Sequence, residues 1–480
     1  MPLSRLKVLP EEYLSRVHEA SLKILWETGV VFESDEAVQV FKAHGAKVDG
    51  HLVRIPAAIV EESLAMCPKR FRWWGVDESH SVILGGNQDR TAISPNMGPV
   101  YIQDLDRGRR RGTLEDFANL IKLCEDSDVV NVVGAIPVEP GDVAVRDRHL
   151  MMTYMLLKHT VKPLIGIIRT QEEEHQVFDM LEIAIGRKDY LLDHPVIGVS
   201  VNPLSPLRFG TEPIDAMLAY ARRRQPVFIL PCILAGATGP VSLLGTAVLQ
   251  NTEMLAGAVF LQMINPGTPV VLSPASSVTN MRKATYITGS PEGHLINIAG
   301  LQMVLDFYSL PSRTMAGLTD SKIVDCQAGY ETMQNIMLSM LSGVHLVNEA
   351  LGVLDSIMTT SYEKFVIDEE LLSRVLRMMK GIEVSEEALA VDVIQQVSHG
   401  GNYLVHPSTF SRFRDFWRPG VSHWDSHDDW VQEGAEDVVI RANRQFKTRL
   451  ASAPESVIPL EVDTEIKRYL KSVLHDTSID

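Results

Sequence analysis

Arg313 is the residue whose position asks for an explanation first. It stands in the short apolar run Ser312 to Ala316, where an unpaired guanidinium is costly, so it must meet a carboxylate of the protein or of a ligand. Within the chain Asp320, Glu331 and Glu349 are all conceivable partners. Other polar residues stand at apolar runs too: Asn96 after Thr91 to Pro95, Asn202 after Val196 to Val201, and His345, Asn348 and Glu349 around Gly343 to Val347. Each has an ordinary structural use as well, Asn202 as a helix cap and His345 as a hydrogen-bonded core histidine. Lys322, in Thr319-Asp320-Ser321-Lys322, could form a Schiff base if apolar walls surround it; in an open loop it is a solvated ammonium. The string from His423 to Asp429 contains metal-ligand residue types, yet it follows Pro419-Gly420, lacks a companion cysteine and reads as the polar start of a helix.

The elements that must gather these residues are legible from the hydropathy pattern. Eight apolar or β-branched runs begin at Thr91, Val129, Pro163, Val196, Val227, Val270, Ser312 and Gly343, roughly 30 to 43 residues apart, the size of a strand-helix unit. Eight such units predict an α/β fold, a closed (β/α)8 TIM barrel over residues 86–360, with functional residues at the carboxyl ends of the strands. Ahead of it, residues 1–85 read as a mainly helical cap, with helices over 11–27, 34–43 and 57–66 and one strand at 52–55. After it, residues 361–480 read as a helical extension, including 386–399, 428–449 and 461–474. A doubly wound sheet is the rival, but neither Gly-x-Gly-x-x-Gly nor Gly-x4-Gly-Lys-Ser/Thr follows any run, so nucleotide binding has no support. From Gln225 to Met281 the only charged residue is Glu253; six prolines interrupt this stretch, which predicts two buried strands and the helix between them rather than a membrane span.

The chain has 480 residues and a formal charge of -16, which argues against a phosphate backbone as partner. The basic run Arg107 to Arg111 is read as a solvated turn or protein-docking patch. The four cysteines form no C-x-x-C pair and are read as buried free thiols in a reducing compartment. No apolar leader follows Met1, so a cytoplasmic protein is expected.

Longer strings carry a resemblance. Ser205-Pro206-Leu207-Arg208-Phe209, Ala235-Gly236-Ala237-Thr238-Gly239-Pro240-Val241, Leu249-Gln250-Asn251-Thr252-Glu253, Thr319 to Lys322 continuing through Asp325 and Gln327 to Ala328-Gly329-Tyr330-Glu331, and Ser361-Tyr362-Glu363-Lys364-Phe365 together resemble the trimethylamine methyltransferase superfamily. The resemblance implies a TIM barrel that demethylates a methylated amine and passes the methyl group to the cobalt of a separate corrinoid protein. Trimethylamine members of that family carry pyrrolysine in the barrel, and this chain shows only standard residues, so it resembles the quaternary-amine branch. Glycine betaine is the expected substrate, with proline betaine, carnitine and γ-butyrobetaine as alternatives; a lyase using Lys322 is the reading outside the family.

On that resemblance Arg313 would hold the substrate carboxylate. Tyr101, Phe209, Tyr330, Tyr362 and Phe365 offer rings for the ammonium, Asn96, Asn202, His345 and Asn348 would complete the pocket, and Glu349 or Glu331 would offset its charge. No acid-base pair is expected, because no proton moves. Asp147-Arg148-His149 matches the opening of the corrinoid signature Asp-x-His-x-x-Gly, but Met152 replaces the glycine and the stretch is helical. No tightly bound cofactor or metal is therefore expected; the partners are the amine, a cognate corrinoid protein and further copies of the chain.

Overall fold

The N-terminal helices form where an amphipathic period and end signals coincide. In a computed structural model, which describes residues 4–479 apart from 89, 135, 284 and 478, they span Glu12–Glu27, Asp35–Ala43 and Ala57–Met66. The Ser34 hydroxyl accepts a hydrogen bond from the Ala37 N–H and starts the second helix. Besides the expected strand, Leu52–Arg54, this segment holds Val30–Phe32, Lys47–Asp49, Arg70–Trp73 and Val82–Gly85, so it is less helical than its pattern suggested. Strands this short carry too few alternations to stand out.

Seven of the eight apolar runs contain a parallel strand and the eighth overlaps one: β1 Ala92–Ile93, β2 Val133–Gly134, β3 Leu164–Ile165, β4 Ile197–Val201, β5 Val227–Ile229, β6 Val270–Leu272, β7 Arg313–Met315 and β8 Leu346–Asn348. They form two parallel sheets, ordered β6-β5-β4-β3-β2 and β7-β8-β1. Leu272 bridges Ser312 at one junction of these sheets; at the other, the Asn131 and Val132 N–H groups donate to the Ile93 carbonyl at 2.8 and 3.2 Å. A helix follows every strand, the last being Tyr362–Met379 after β8. The architecture is mixed α/β.

The helix after β5, Leu243–Ile264, explains the uncharged stretch, because it is enclosed on all sides. One side presses on β5 so closely that a Cβ at Gly257 would lie 2.9 Å from Ile229 atoms. Its other side meets the N-terminal segment, where the Phe260 ring lies 5.3 Å from both Phe32 and Phe41. Glu253, buried within it, accepts from the Leu207 N–H at 2.7 Å and the Ser205 hydroxyl at 2.8 Å. Among the described residues no helix is long and apolar enough to cross a membrane.

The C-terminal extension breaks where single helices were expected. The 386–399 helix is a turn, Glu387–Leu389, and a helix, Val391–Val397, separated by left-handed Ala390. The 428–449 helix is split into His427–Gln432 and Val438–Ser452 by Gly434 and Ala435, both with positive φ. Leu460–Val473 matches its expected span and packs on Gln171–Ile185. Arg107 to Arg111 contributes an antiparallel strand, Gly108–Arg111, against Tyr101–Asp104, and Arg110 bonds Asp116 at 2.5 and 2.7 Å.

Candidate functional site

β7 and β8 bring together the charged centre of the site. Arg313 opens β7 and is fully buried; its Nη2 donates to Asn348 Oδ1 at 2.8 Å and to the two Glu349 oxygens at 2.8 and 2.9 Å. The partner left open by sequence is thus Glu349, whereas Glu331 is held by the Thr319 hydroxyl and the Asp320 N–H, and Asp320 by Thr288, Gly289 and Ser356. The Arg313 Nε and Nη1 atoms are buried without a hydrogen-bond partner among the described residues. Burial raises the Glu349 carboxyl above the usual carboxylate range, against the opposing pull of Arg313. Glu349 also holds a left-handed backbone, φ 48°, which costs on the order of 1–3 kcal/mol in a residue with a side chain. Asn348 anchors the pair to the segment just after β1 by donating to the Pro95 carbonyl at 2.7 Å.

Around this pair the other strand ends supply neutral groups. Asn96 donates to the Thr360 hydroxyl at 2.7 Å, and Asn202 donates to the Leu230 carbonyl at 3.1 Å and Cys232 Sγ at 3.3 Å. Burial pushes the Cys232 thiol up to about 12, which disfavours its thiolate at neutral pH; Cys67 and Cys124 are buried as expected, whereas Cys232 is partly buried and Cys326 is exposed at the start of the helix after β7. Leu230, Ala275, Met315, Leu318 and Val353 form an apolar cluster at the same strand ends, with Met97, Cys232 and Tyr286 packed against it. Tyr286 comes from a hairpin after β6, Ser277–Asn280 with Thr285–Ile287, and its hydroxyl donates to Met315 Sδ at 3.7 Å. Burial, with Cys232, Glu349 and Asp320 nearby, raises its phenol well above an ordinary tyrosine.

Sequence reasoning missed Tyr286, Cys232 and the two methionines. Cys232 falls inside the Val227 to Ile233 run and its signal was readable; Tyr286 sits in a polar hairpin whose return across the strand ends leaves no local mark.

Several expected residues lie elsewhere. His345 precedes β8 and belongs to the strand-start face: its Nδ1 accepts from the Ser312 N–H at 3.1 Å, its Nε2 lies 3.1 Å from the Gly86 carbonyl, and burial lowers its pKa. It lines a cavity of about 910 Å³ at that face, with Thr91, Val129 and Val344. Phe209 stacks on Phe32, 4.9 Å between centroids, in the N-terminal packing. Tyr362 stacks on Phe446 and donates to Asp116 at 3.0 Å; Phe365 is buried beside it in sequence, in the hydrophobic core. Tyr330 is 61% exposed on the helix after β7, and the Tyr101 ring is covered by Arg109 at 3.6 Å. Lys322 is an open ammonium on the Asp320 carbonyl, without the apolar walls a Schiff-base lysine needs.

The chain matches the family model described as trimethylamine methyltransferase (MTTB) over residues 1–474. It is 36% identical over 469 residues to a glycine betaine methyltransferase of Desulfitobacterium hafniense, covering 98% of this chain and 97% of that one. It is 32% identical to a proline betaine:corrinoid methyltransferase of Eubacterium limosum, covering 81% of each, and 30% identical to the trimethylamine methyltransferase MttB of Methanosarcina thermophila, covering 95% of each. The solved monomethylamine methyltransferase MtmB of Methanosarcina barkeri superposes with a TM-score of 0.54 at 10% identity, over 94% of this chain and 89% of that one, a likeness of fold.

Proposed function

The chain belongs to the trimethylamine methyltransferase family, and we propose that it moves a methyl group from a quaternary amine, glycine betaine first, to the Co(I) of a separate corrinoid protein, leaving dimethylglycine. The C–N bond breaks with its electron pair on nitrogen while a cobalt pair forms the new bond to carbon, so no proton has to move. The methyl acceptor is the partner's corrinoid, with no cofactor tightly bound to this chain.

The observation that carries the substrate class is the guanidinium of Arg313. With Nη2 occupied by Asn348 and Glu349, its Nε and Nη1 are buried donors that lack an acceptor among the described residues, which a substrate carboxylate would supply. The ammonium end would lie against the Tyr286 ring and the sulfur atoms of Met97 and Met315. Because Glu349 is engaged by Arg313, it balances charge without gripping the ammonium, which would favour bound substrate over the transition state. Asn96 and Asn202 would frame the bound substrate, and the apolar cluster would exclude water from it.

The same reading takes residues 86–360 as one closed (β/α)8 barrel, 1–85 as its cap and 361–480 as its extension. The bonds at both sheet junctions support closure. The corrinoid protein would dock over the strand ends, and the enzyme would work in the cytoplasm as an oligomer of identical chains.

The test is spectroscopic. Protein is mixed with a reduced Co(I) corrinoid and glycine betaine, and the visible spectrum is followed for methylation of cobalt. Loss of the Co(I) band with release of dimethylglycine is expected. Reaction only with proline betaine, carnitine or γ-butyrobetaine overturns the substrate, and no reaction with any of them and a competent corrinoid protein overturns the transferase.

A further inference from the structure

Lys364 and Asp368 form a second buried ion pair, and the chemistry proposed above makes no use of it. They stand one turn apart on the helix Tyr362–Met379, with side chains 2% and 1% exposed, and the Lys364 Nζ lies 2.7 and 2.9 Å from the two Asp368 oxygens. Two opposite charges withdrawn from water are often no more stabilising than apolar side chains of similar volume, so stability alone does not account for the pair. Its other contacts are at the strand-end face. Nζ donates to the Thr332 hydroxyl at 2.8 Å, that hydroxyl donates to the Gly317 carbonyl at 3.4 Å, and Nζ lies 3.5 Å from the same carbonyl. Asp368 accepts from the Gly352 N–H at 2.7 Å. The pair thus joins the segment leaving β7 to the segment leaving β8.

Glu349 sits between those two anchors. Its carbonyl accepts from the Gly317 N–H at 2.8 Å, and its own N–H donates to the Pro95 carbonyl at 3.1 Å. A Cβ at Gly317 would lie 2.4 Å from the Ala350 oxygen and 2.7 Å from the Glu349 oxygen, so the two segments meet more closely than a side chain allows. The left-handed backbone of Glu349 is costly and persists only where its surroundings impose it. We infer that Lys364 and Asp368 are positioning residues for the substrate carboxylate: through Gly317 and Gly352 they impose the Glu349 conformation, and Glu349 in turn orients the Arg313 donors that lack a partner among the described residues. In naming Arg313 as the partner of that carboxylate, the inference rests on the functional reading above.

The test is the double variant Lys364→Met/Asp368→Leu, which removes both charges together and leaves neither buried alone. Its kcat/KM for glycine betaine is expected to fall roughly tenfold or more, chiefly through KM, while that for tetramethylammonium, which has no carboxylate, changes by no more than about twofold. Thr332→Val, which removes only the hydroxyl link to Gly317, is expected to shift the ratio of the two in the same direction by a smaller factor. Amide hydrogen exchange is expected to quicken at Gly317 and Glu349 in the double variant and to stay as in wild type at Val199 of β4. Equal effects on the two amines, or unchanged exchange at Gly317 and Glu349, overturns the inference. Should the double variant fail to fold, an unchanged ratio in Thr332→Val overturns it. A wild-type protein that transfers no methyl group from either amine counts against the functional reading alone, and hydrogen exchange then decides the positioning.

Discussion

Arg313 and Glu349 form a buried ion pair in which one guanidinium nitrogen meets both carboxylate oxygens, at 2.8 and 2.9 Å, while two other guanidinium nitrogens have no partner among the described residues. The carboxylate balances the charge of the arginine and leaves part of its hydrogen-bonding capacity unspent.

Arg313→Lys retains the positive charge and removes the fork of donors. Charge-assisted hydrogen bonds of this kind are worth about 1.5–3 kcal/mol, so kcat/KM for glycine betaine is expected to fall roughly 10- to 100-fold, chiefly through KM. Steady-state kinetics with glycine betaine and tetramethylammonium check this. An equal loss with the carboxylate-free cation would remove Arg313 from substrate binding.

Tyr286→Ala takes away the ring beside Met315. A cation held against an aromatic face gains about 0.5–2 kcal/mol, so a loss of roughly 2- to 30-fold in kcat/KM is expected, while Tyr286→Phe keeps most activity. Equal damage in both variants would point to the hydroxyl contact with Met315 instead.

Lys322→Ala is expected to leave methyl transfer unchanged, because the side chain is 69% exposed and its ammonium has polar contacts, among the described residues, only with Asp320 and Asp355. Borohydride treatment in the presence of a carbonyl compound should add no mass at Lys322. A trapped adduct there would revive the lyase.

Glu253 gives a pH dependence with a defined sign. Burial pushes its carboxyl from 4.5 up to about 7, so between these values the folded chain binds more protons than the unfolded one and stability falls as pH rises. Glu174, pushed up to about 8, acts in the same direction. The contribution of Glu253 is complete below about pH 4.5 and lost above about 7. Urea unfolding at pH 5 and pH 8 should therefore show a smaller difference for Glu253→Gln than for wild type, by up to a few kcal/mol. An unchanged difference would mean that the unfolded chain shares the shift.

The strands were legible because their signal is local: β-branched apolar runs between turn residues, as in Val196 to Val201, need no tertiary information. The site was legible only in part. The run from Gly343 suggested His345 as a strand-end residue, but pairing begins at Leu346, so His345 falls on the opposite face. Phe209, Tyr362 and Phe365 show that a ring near a strand or helix end has the same local pattern in a core as in a pocket. Arg313 was identifiable because a buried guanidinium is rare and costly wherever it occurs.

The enclosed helix Leu243–Ile264 also sets a schedule for synthesis. The segments it covers, Glu12 to Met66, leave the ribosome almost 200 residues before that helix is complete, and Val30–Phe32 must wait for Arg208–Phe209 to pair with it. At ~5–20 residues per second the apolar faces of the first helices stay uncovered for roughly 10 to 40 s, long enough to meet a chaperone or a neighbouring nascent chain.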